Sequence, residues 1–381
     1  MKSFLDKVSL SPIWGTGLLN LRVDAIKAYL SELYGAKVEI RRISMLGKDV
    51  EKPGEVLKGY GYGTPLSIEF TLNGSPRKVV LSTMRPGGFG HENMTDRAGI
   101  LLWQAKTFNL LPRHVKAVDI GSFTKENTLR SLGDCTEFFL VTEWAEGKEY
   151  YRNLDRIKET GRLTDLDNQR AEALADYLVE IHAVKHDDPG LYVRRIRDLI
   201  GHGECLMGLT DSYPPNLDYF RPEDLLVIER RCVEWRWQIK HRTHRLAQVH
   251  GDYHPWNILF REGTDFTALD RSRGEWGEPA DDVSSMTINY LFYALQHRGA
   301  LEGPFQELWK TFFDRYLDAT GDKEMLEVIQ PFYTWRALVV ASPIWYPNLS
   351  LDVRRKLLNF AQNVLETTVF NPEDIASLLE S

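Results

Sequence analysis

Val249-His250-Gly251-Asp252-Tyr253-His254-Pro255-Trp256-Asn257-Ile258-Leu259-Phe260 is the stretch on which the reading of this chain turns. Asn257 follows Asp252 at five residues, and Ala268-Leu269-Asp270 places a second aspartate thirteen residues after Asn257. A carboxylate in a turn-rich loop can accept or orient the proton of a hydroxyl. An amide oxygen and a second carboxylate are hard oxygen donors, suited to a divalent cation such as Mg2+. The apolar residues Ile258 to Phe260 and Phe266 to Leu269 are expected to pair as a hairpin that holds Asn257 and Asp270 toward each other. These are the parts that phosphoryl transfer from a nucleotide requires.

Composition narrows the classes around that loop. With 381 residues, two or three domains or lobes are expected. The 43% hydrophobic and 27% charged content is that of a globular rather than a disordered chain. A net charge of -7 argues against affinity for nucleic acid through a basic surface, and no nucleic-acid partner is expected. Cys135, Cys205 and Cys232 are odd in number and lack CxxC spacing, which excludes a disulfide framework or a thiolate zinc site and fits a reducing compartment. Asp6 and Lys7 stand where a signal peptide needs an apolar run, and Arg336 and Pro343 interrupt the apolar stretch Tyr333 to Trp345. A cytoplasmic location with no membrane partner is the expectation. Nothing in the sequence speaks to oligomeric state.

Upstream, Leu18, Leu19, Leu21, Ile26, Tyr29, Leu30 and Leu33 lie at helical spacing, so a helix is expected over 16–35, stopped by Gly35. Strands are expected at Lys37 to Leu46, at Leu66 to Leu72, where apolar and polar residues alternate, and at Lys78 to Met84 after the Asn73-Gly74 turn. Between the first two lies Lys58-Gly59-Tyr60-Gly61-Tyr62-Gly63-Thr64. Glycines 59, 61 and 63 form either a plain surface turn or a loop whose backbone N–H groups cradle phosphates; the flanking strands and the downstream loop favour the cradle. A helix is expected from Thr95 to Leu110, then strands at Val115 to Ile120 and Glu137 to Glu143. After Gly147 the chain reads as helical, with Leu174, Tyr177, Leu178 and Ile181 forming one buried stripe. The expected division is a helical extension at 1–35, a sheet lobe at 36–146 and a helical lobe at 147–381.

His250-Gly251-Asp252-Tyr253-His254-Pro255-Trp256-Asn257 resembles the HxDxxxxN loop of the aminoglycoside phosphotransferase and choline kinase-like family, which has a protein-kinase-like fold. Gly277-Glu278-Pro279-Ala280-Asp281-Asp282 matches that family's Gly-x-Pro-x-x-Asp stretch, and Leu140 to Gly147 and Ile181-His182-Ala183 also look like family features. The resemblance spans about residues 36–300. It implies an α+β fold with a small antiparallel-sheet lobe and a larger helical lobe, the active site lying in the cleft between them. It implies a kinase that moves the terminal phosphate of ATP or GTP, with Mg2+, to a hydroxyl of a small molecule. Asp252 would be the catalytic base, Asn257 and Asp270 the metal ligands, and Glu143, Trp144 and Ala145 the segment holding the nucleotide base.

The chain departs from the family in three places. The third strand, where the family carries a phosphate-contacting lysine, has Ser82 or Thr83 at that position; Arg85 shares a face with Thr83 under strand alternation and is the candidate substitute, though its fork differs in reach from a lysine. The glutamate that pairs with that lysine is Glu92 or replaced by Asp96. Arg271 and Arg273 follow the metal aspartate, free to bind a substrate anion or to pair with Glu275 and Glu278. The missing lysine supports an alternative, a nucleotide-binding pseudokinase; an atypical nucleotidyl-transferring member is another. A third reading, a transition-metal site of His241, His244, His250 and His254 with Asp252, is weakened by the arginines around it. His182 and His250 are expected to be structural, and Tyr333, Trp335, Trp345 and Tyr346 to pack in the core.

Overall fold

A computed structural model describes residues 22–45, 65–87 and 90–380. The chain divides into two compact units, Met1–Val141 and Thr142–Ser381. In the first, α1 (Val23–Tyr34) ends at Gly35, whose φ of 57° closes the helix in the left-handed region that glycine adopts without cost. Strands β1 (Val38–Met45), β2 (Leu66–Leu72) and β3 (Ser75–Leu81) form an antiparallel sheet in that order. Leu66, Ile68 and Phe70 point to one face of the central strand and bury against Ile26, Leu30 and Val38. The helix expected as an extension thus supplies two residues of the sheet's core. Helix α2 (Met94–Thr107) and a hairpin of β4 (Gly121–Phe123) and β5 (Leu129–Ser131) complete the described part of this unit.

Two expectations are corrected here. The β2–β3 turn uses only Asn73 and Gly74, both at positive φ as a tight hairpin requires, so pairing resumes at Ser75 and the strand ends at Leu81. Thr83 and Arg85 lie beyond it, and strand alternation does not put them on one face. The segments Val115 to Ile120 and Glu137 to Glu143 form no strand. Most of their apolar residues are exposed, Phe139 by 90% and Leu140 by 87%, while Ala117 and Ile120 are half-buried. β-branched and aromatic composition marks residues that suit a strand, but a strand also needs a neighbouring ladder, which neither segment has among the described residues.

The second unit is helical: α3 (Tyr151–Thr160), α4 (Asp165–His182), α5 (Pro189–Gly201), α6 (Leu206–Asp211), α7 (Pro222–Ile239), α8 (Pro279–Arg298), α9 (Pro304–Thr320), α10 (Gln330–Ala341) and α11 (Leu351–Asn363). Helix α8 is buried on every side from Pro279 to Leu295 apart from Asp281, with α4, α9 and α10 packed against it. Small strands sit among these helices: β6 (Lys148–Glu149) pairs with β8 (Ile258–Phe260), which pairs with β9 (Phe266–Ala268), while β7 (Ala247–Gln248) pairs with β10 (Trp276–Gly277). The α+β class expected from the sequence is the one the structure has. Among the described residues no helix is long and apolar enough to cross a membrane.

Candidate active site

The loop 249–257 leaves β7 and enters β8. Because β7 lies antiparallel to β10, the loop begins beside the residues that open α8. Pro279 starts that helix, Glu278 caps it by accepting from the Ala280 N–H at 3.3 Å, and Arg245 pins the cap through a buried ion pair to Glu278 at 2.7 Å. In the first turn, Asp282 is fully buried and points back at the loop. Its two oxygens accept from the backbone N–H groups of His250 and Gly251, both at 2.7 Å, and His182 Nε2 lies 3.1 Å away. Burial pushes the Asp282 carboxyl up, but these donors outweigh it and hold it below its ordinary value. Gly251 has φ 86°, and a Cβ there would meet the Arg273 side chain at 3.2 Å, so the bend admits glycine alone.

His182 and His250 are structural, as expected. His182 bridges Asp282 and the Tyr316 hydroxyl, the latter at 2.8 Å. His250 accepts the Asp252 N–H at Nδ1, at 3.2 Å, and hydrogen-bonds the Leu269 backbone. Burial lowers its pKa beyond what Asp282 and Asp252 restore, so the ring is neutral at pH 7. It therefore ties the residue before Asp270 to Asp252.

Asp252 is 16% exposed and surrounded by cations. Its Oδ1 accepts from Arg336 Nη1 at 2.7 Å and from Arg273 Nη1 at 3.3 Å, while Oδ2 lies 3.4 Å from His254 Nε2. Burial pushes the carboxyl up; the His254 hydrogen bond and the two guanidinium groups overcome it and hold it well below the usual carboxylate range. Such a group is ionised at neutral pH.

Asn257 and Asp270 sit at one end of the β8–β9 hairpin, where the Leu269 N–H donates to the Asn257 carbonyl at 2.8 Å. The Asn257 amide nitrogen donates to the Asp252 carbonyl at 3.0 Å, which leaves the amide oxygen as its free acceptor. Asp270 has φ 56°, is exposed, and among the described residues makes no hydrogen bond or ion pair. One amide oxygen and one uncommitted carboxylate suit Mg2+, which takes few protein ligands and completes its shell with phosphates and water. No group of three or more His, Cys, Asp or Glu side chains among the described residues is placed to hold a metal ion. The histidine-cluster reading finds no support, since His244 engages Glu324 at 2.7 Å and His254 engages Asp252.

The other expected residues belong to other parts of the chain. Glycines 59, 61 and 63 lie outside the described residues. Thr83 and Arg85 belong to the first unit; Glu143, Trp144 and Ala145 open the second, with the Trp144 indole donating to Glu146 at 2.8 Å. Arg271 and Arg273 do not pair with Glu275 and Glu278. Arg271 instead donates to the backbone carbonyls of Val249 and Glu275, both at 2.9 Å, and Glu278 is taken by Arg245. Sequence reasoning missed Arg336, read only as a break in an apolar stretch. The signal was available: a lone cation among core-patterned residues needs a buried carboxylate.

Among solved structures, an amicoumacin kinase in complex with AMP-PNP and Ca2+ is 19% identical over 62% of this chain and 67% of its own, with a TM-score of 0.38. A Plasmodium vivax ethanolamine kinase is 15% identical over 96% and 83%, with a TM-score of 0.35. A glucosamine kinase is 16% identical over 61% and 59%, with a TM-score of 0.38. No curated protein matches the chain. The model of the phosphotransferase enzyme family matches residues 113–323, more than half of the chain, starting later and ending later than the span expected from the motifs. That stretch contains the 249–257 loop, the hairpin with Asp270 and the opening of α8, and the chain belongs to the phosphotransferase enzyme family.

Proposed function

We propose that the protein transfers the terminal phosphoryl group of a nucleoside triphosphate, ATP or GTP, to a hydroxyl of a small molecule. The observation that carries this reading is the convergence of Asp252, Asn257 and Asp270 through one loop and one hairpin within the family-matched stretch. Mg2+ held by Asn257 and Asp270 would neutralise the charge on the phosphates. Asp252, its carboxylate held by Arg336 and Arg273, orients the acceptor hydroxyl or takes up its proton. The hydroxyl oxygen forms its bond to the γ-phosphorus as the bond to the bridging oxygen breaks. The electron pair leaves with the nucleoside diphosphate, and the proton passes to Asp252, to the transferred phosphoryl group or to solvent. Positioning and charge neutralisation supply most of the rate.

In this reading residues 36–146 bind the nucleotide and 147–381 carry the loop and the acceptor site. The backbone at Gly59, Gly61 and Gly63 cradles phosphates, and Glu143, Trp144 and Ala145 hold the base. Arg85 replaces the strand lysine. Thr83 Oγ1, buried and without a hydrogen-bond partner among the described residues, supports a nearby polar ligand. Three unpaired cysteines, Cys205 and Cys232 among them buried, support a cytoplasmic setting.

Asp252→Ala should cut transfer at least about 100-fold while leaving ATP affinity within about twofold. Transfer is read by mass spectrometry over a panel of amino alcohols and amino sugars, and affinity by calorimetry. A product heavier by one phosphate supports the reading; one heavier by a nucleoside monophosphate points to nucleotidyl transfer. Loss of ATP binding together with loss of the fold contradicts the role given to Asp252.

A further inference from the structure

Arg336 lies on α10, thirteen residues beyond the family-matched stretch, between the buried Trp335 and Ala337. Its side chain is 7% exposed. A guanidinium in such surroundings is costly unless every charge is met, and here the partners are specific. Nη1 donates to Asp252 Oδ1 at 2.7 Å; Nη2 donates to Asp281 Oδ1 at 2.7 Å and to the Gly251 carbonyl at 3.0 Å. The plane of the group lies over the Trp335 ring, 4.0 Å from its centroid. The two carboxylates come from different elements, the loop and the first turn of α8.

We infer that Arg336 is a positioning residue for phosphoryl transfer, holding the Asp252 carboxylate in the orientation that meets the acceptor hydroxyl, with Asp281 as the anchor of the clamp. This rests on the reading of Asp252 as the group that orients that hydroxyl. A planar fork with fixed nitrogens sets the relative placement of two carboxylates in a way a flexible ammonium cannot. The adjacent aspartates divide the work: Asp282 fixes the loop backbone, and Asp281, whose carboxylate hydrogen-bonds only Arg336 among the described residues, fixes the Asp252 side chain through it. Arg273 reaches the same Asp252 oxygen, the Gly251 carbonyl at 3.2 Å and the Trp335 ring, but it makes no hydrogen bond to Asp281 and so does not link the two carboxylates. Its bond to Asp252 is longer, at 3.3 Å, its side chain is 24% exposed, and it also faces Glu204 at 4.0 Å. Stability alone does not account for Arg336, since a buried ion pair is often replaced by apolar groups without loss.

The test uses the full chain with Mg2+ and ATP and water as acceptor, following phosphate release. Arg336→Met is expected to lower kcat about 100-fold and Asp281→Asn about tenfold, a displaced reacting group having effects of that size. KM for ATP should stay within about twofold in both, because neither residue is assigned to nucleotide binding. The double variant should be no slower than Arg336→Met, since Asp281 acts only through Arg336. If Arg336→Met fails to fold, Asp281→Asn decides by its kcat against its KM. Wild-type kcat in a folded Asp281→Asn, or independent, multiplicative losses in the double variant, overturns the inference while leaving Asp252 in its role. Asp252→Asn is run in parallel; wild-type phosphate release from it overturns the reading of Asp252 and the clamp with it.

Discussion

Asp270 combines a left-handed backbone with an exposed, uncommitted carboxylate. Holding a non-glycine residue at φ 56° costs about 1 kcal/mol, and among the described residues no hydrogen bond or ion pair to its side chain offsets that. Asp252 makes the opposite arrangement, a carboxylate whose Oδ1 is held by two guanidinium groups and whose Oδ2 faces His254. Its folded pKa is depressed below the ordinary value of about 3.9, so the stability it contributes is fully present above that value and lost as pH falls below it. Asp252→Asn should therefore lower Tm at pH 7, and the gap from wild type should shrink between pH 5 and pH 3 in thermal melts. A gap constant across that range would contradict the ion-pair account.

At the scale of elements, the loop owes its shape to α8 more than to its own residues. Asp282→Asn replaces one of two acceptors with a donor facing a backbone N–H, and should cost about 2–3 kcal/mol, the penalty of a buried unsatisfied pair. Denaturant unfolding measures this, and a loss under 0.5 kcal/mol would mean the loop holds itself. The hairpin joining Asn257 to Asp270 was legible because its apolar runs flank a short polar turn, and Gly35 and Asn73-Gly74 were legible because only such residues suit positive φ. Val115 to Ile120 and Glu137 to Glu143 misled because a strand-like pattern carries no information about whether a neighbour exists. The clamp of Arg336 on Asp252, 84 residues apart, depends on packing of α10 against α8 that no local pattern encodes.

For the molecule as a whole, the sheet-bearing unit and the helical unit each bury a core of their own, and the residues closest to the proposed chemistry all belong to the second. The family match begins at residue 113 and so rests almost wholly on that unit. The class of chemistry was therefore readable from the loop, whereas of the expected nucleotide contacts Gly59, Gly61 and Gly63 fall outside the described residues and Thr83, Arg85, Glu143, Trp144 and Ala145 within them. The central claim is that Asn257 and Asp270 hold the metal of a nucleotide complex, and calorimetric titration of ATP with and without Mg2+, on the wild type and on Asp270→Asn, tests it most directly. Asparagine tolerates the left-handed backbone, so the variant should keep the wild-type Tm. The account predicts Mg2+-dependent binding that the substitution weakens at least tenfold, a loss of about 1.4 kcal/mol. Binding that is indifferent to Mg2+ and to Asp270, or no binding of ATP or GTP, would contradict it.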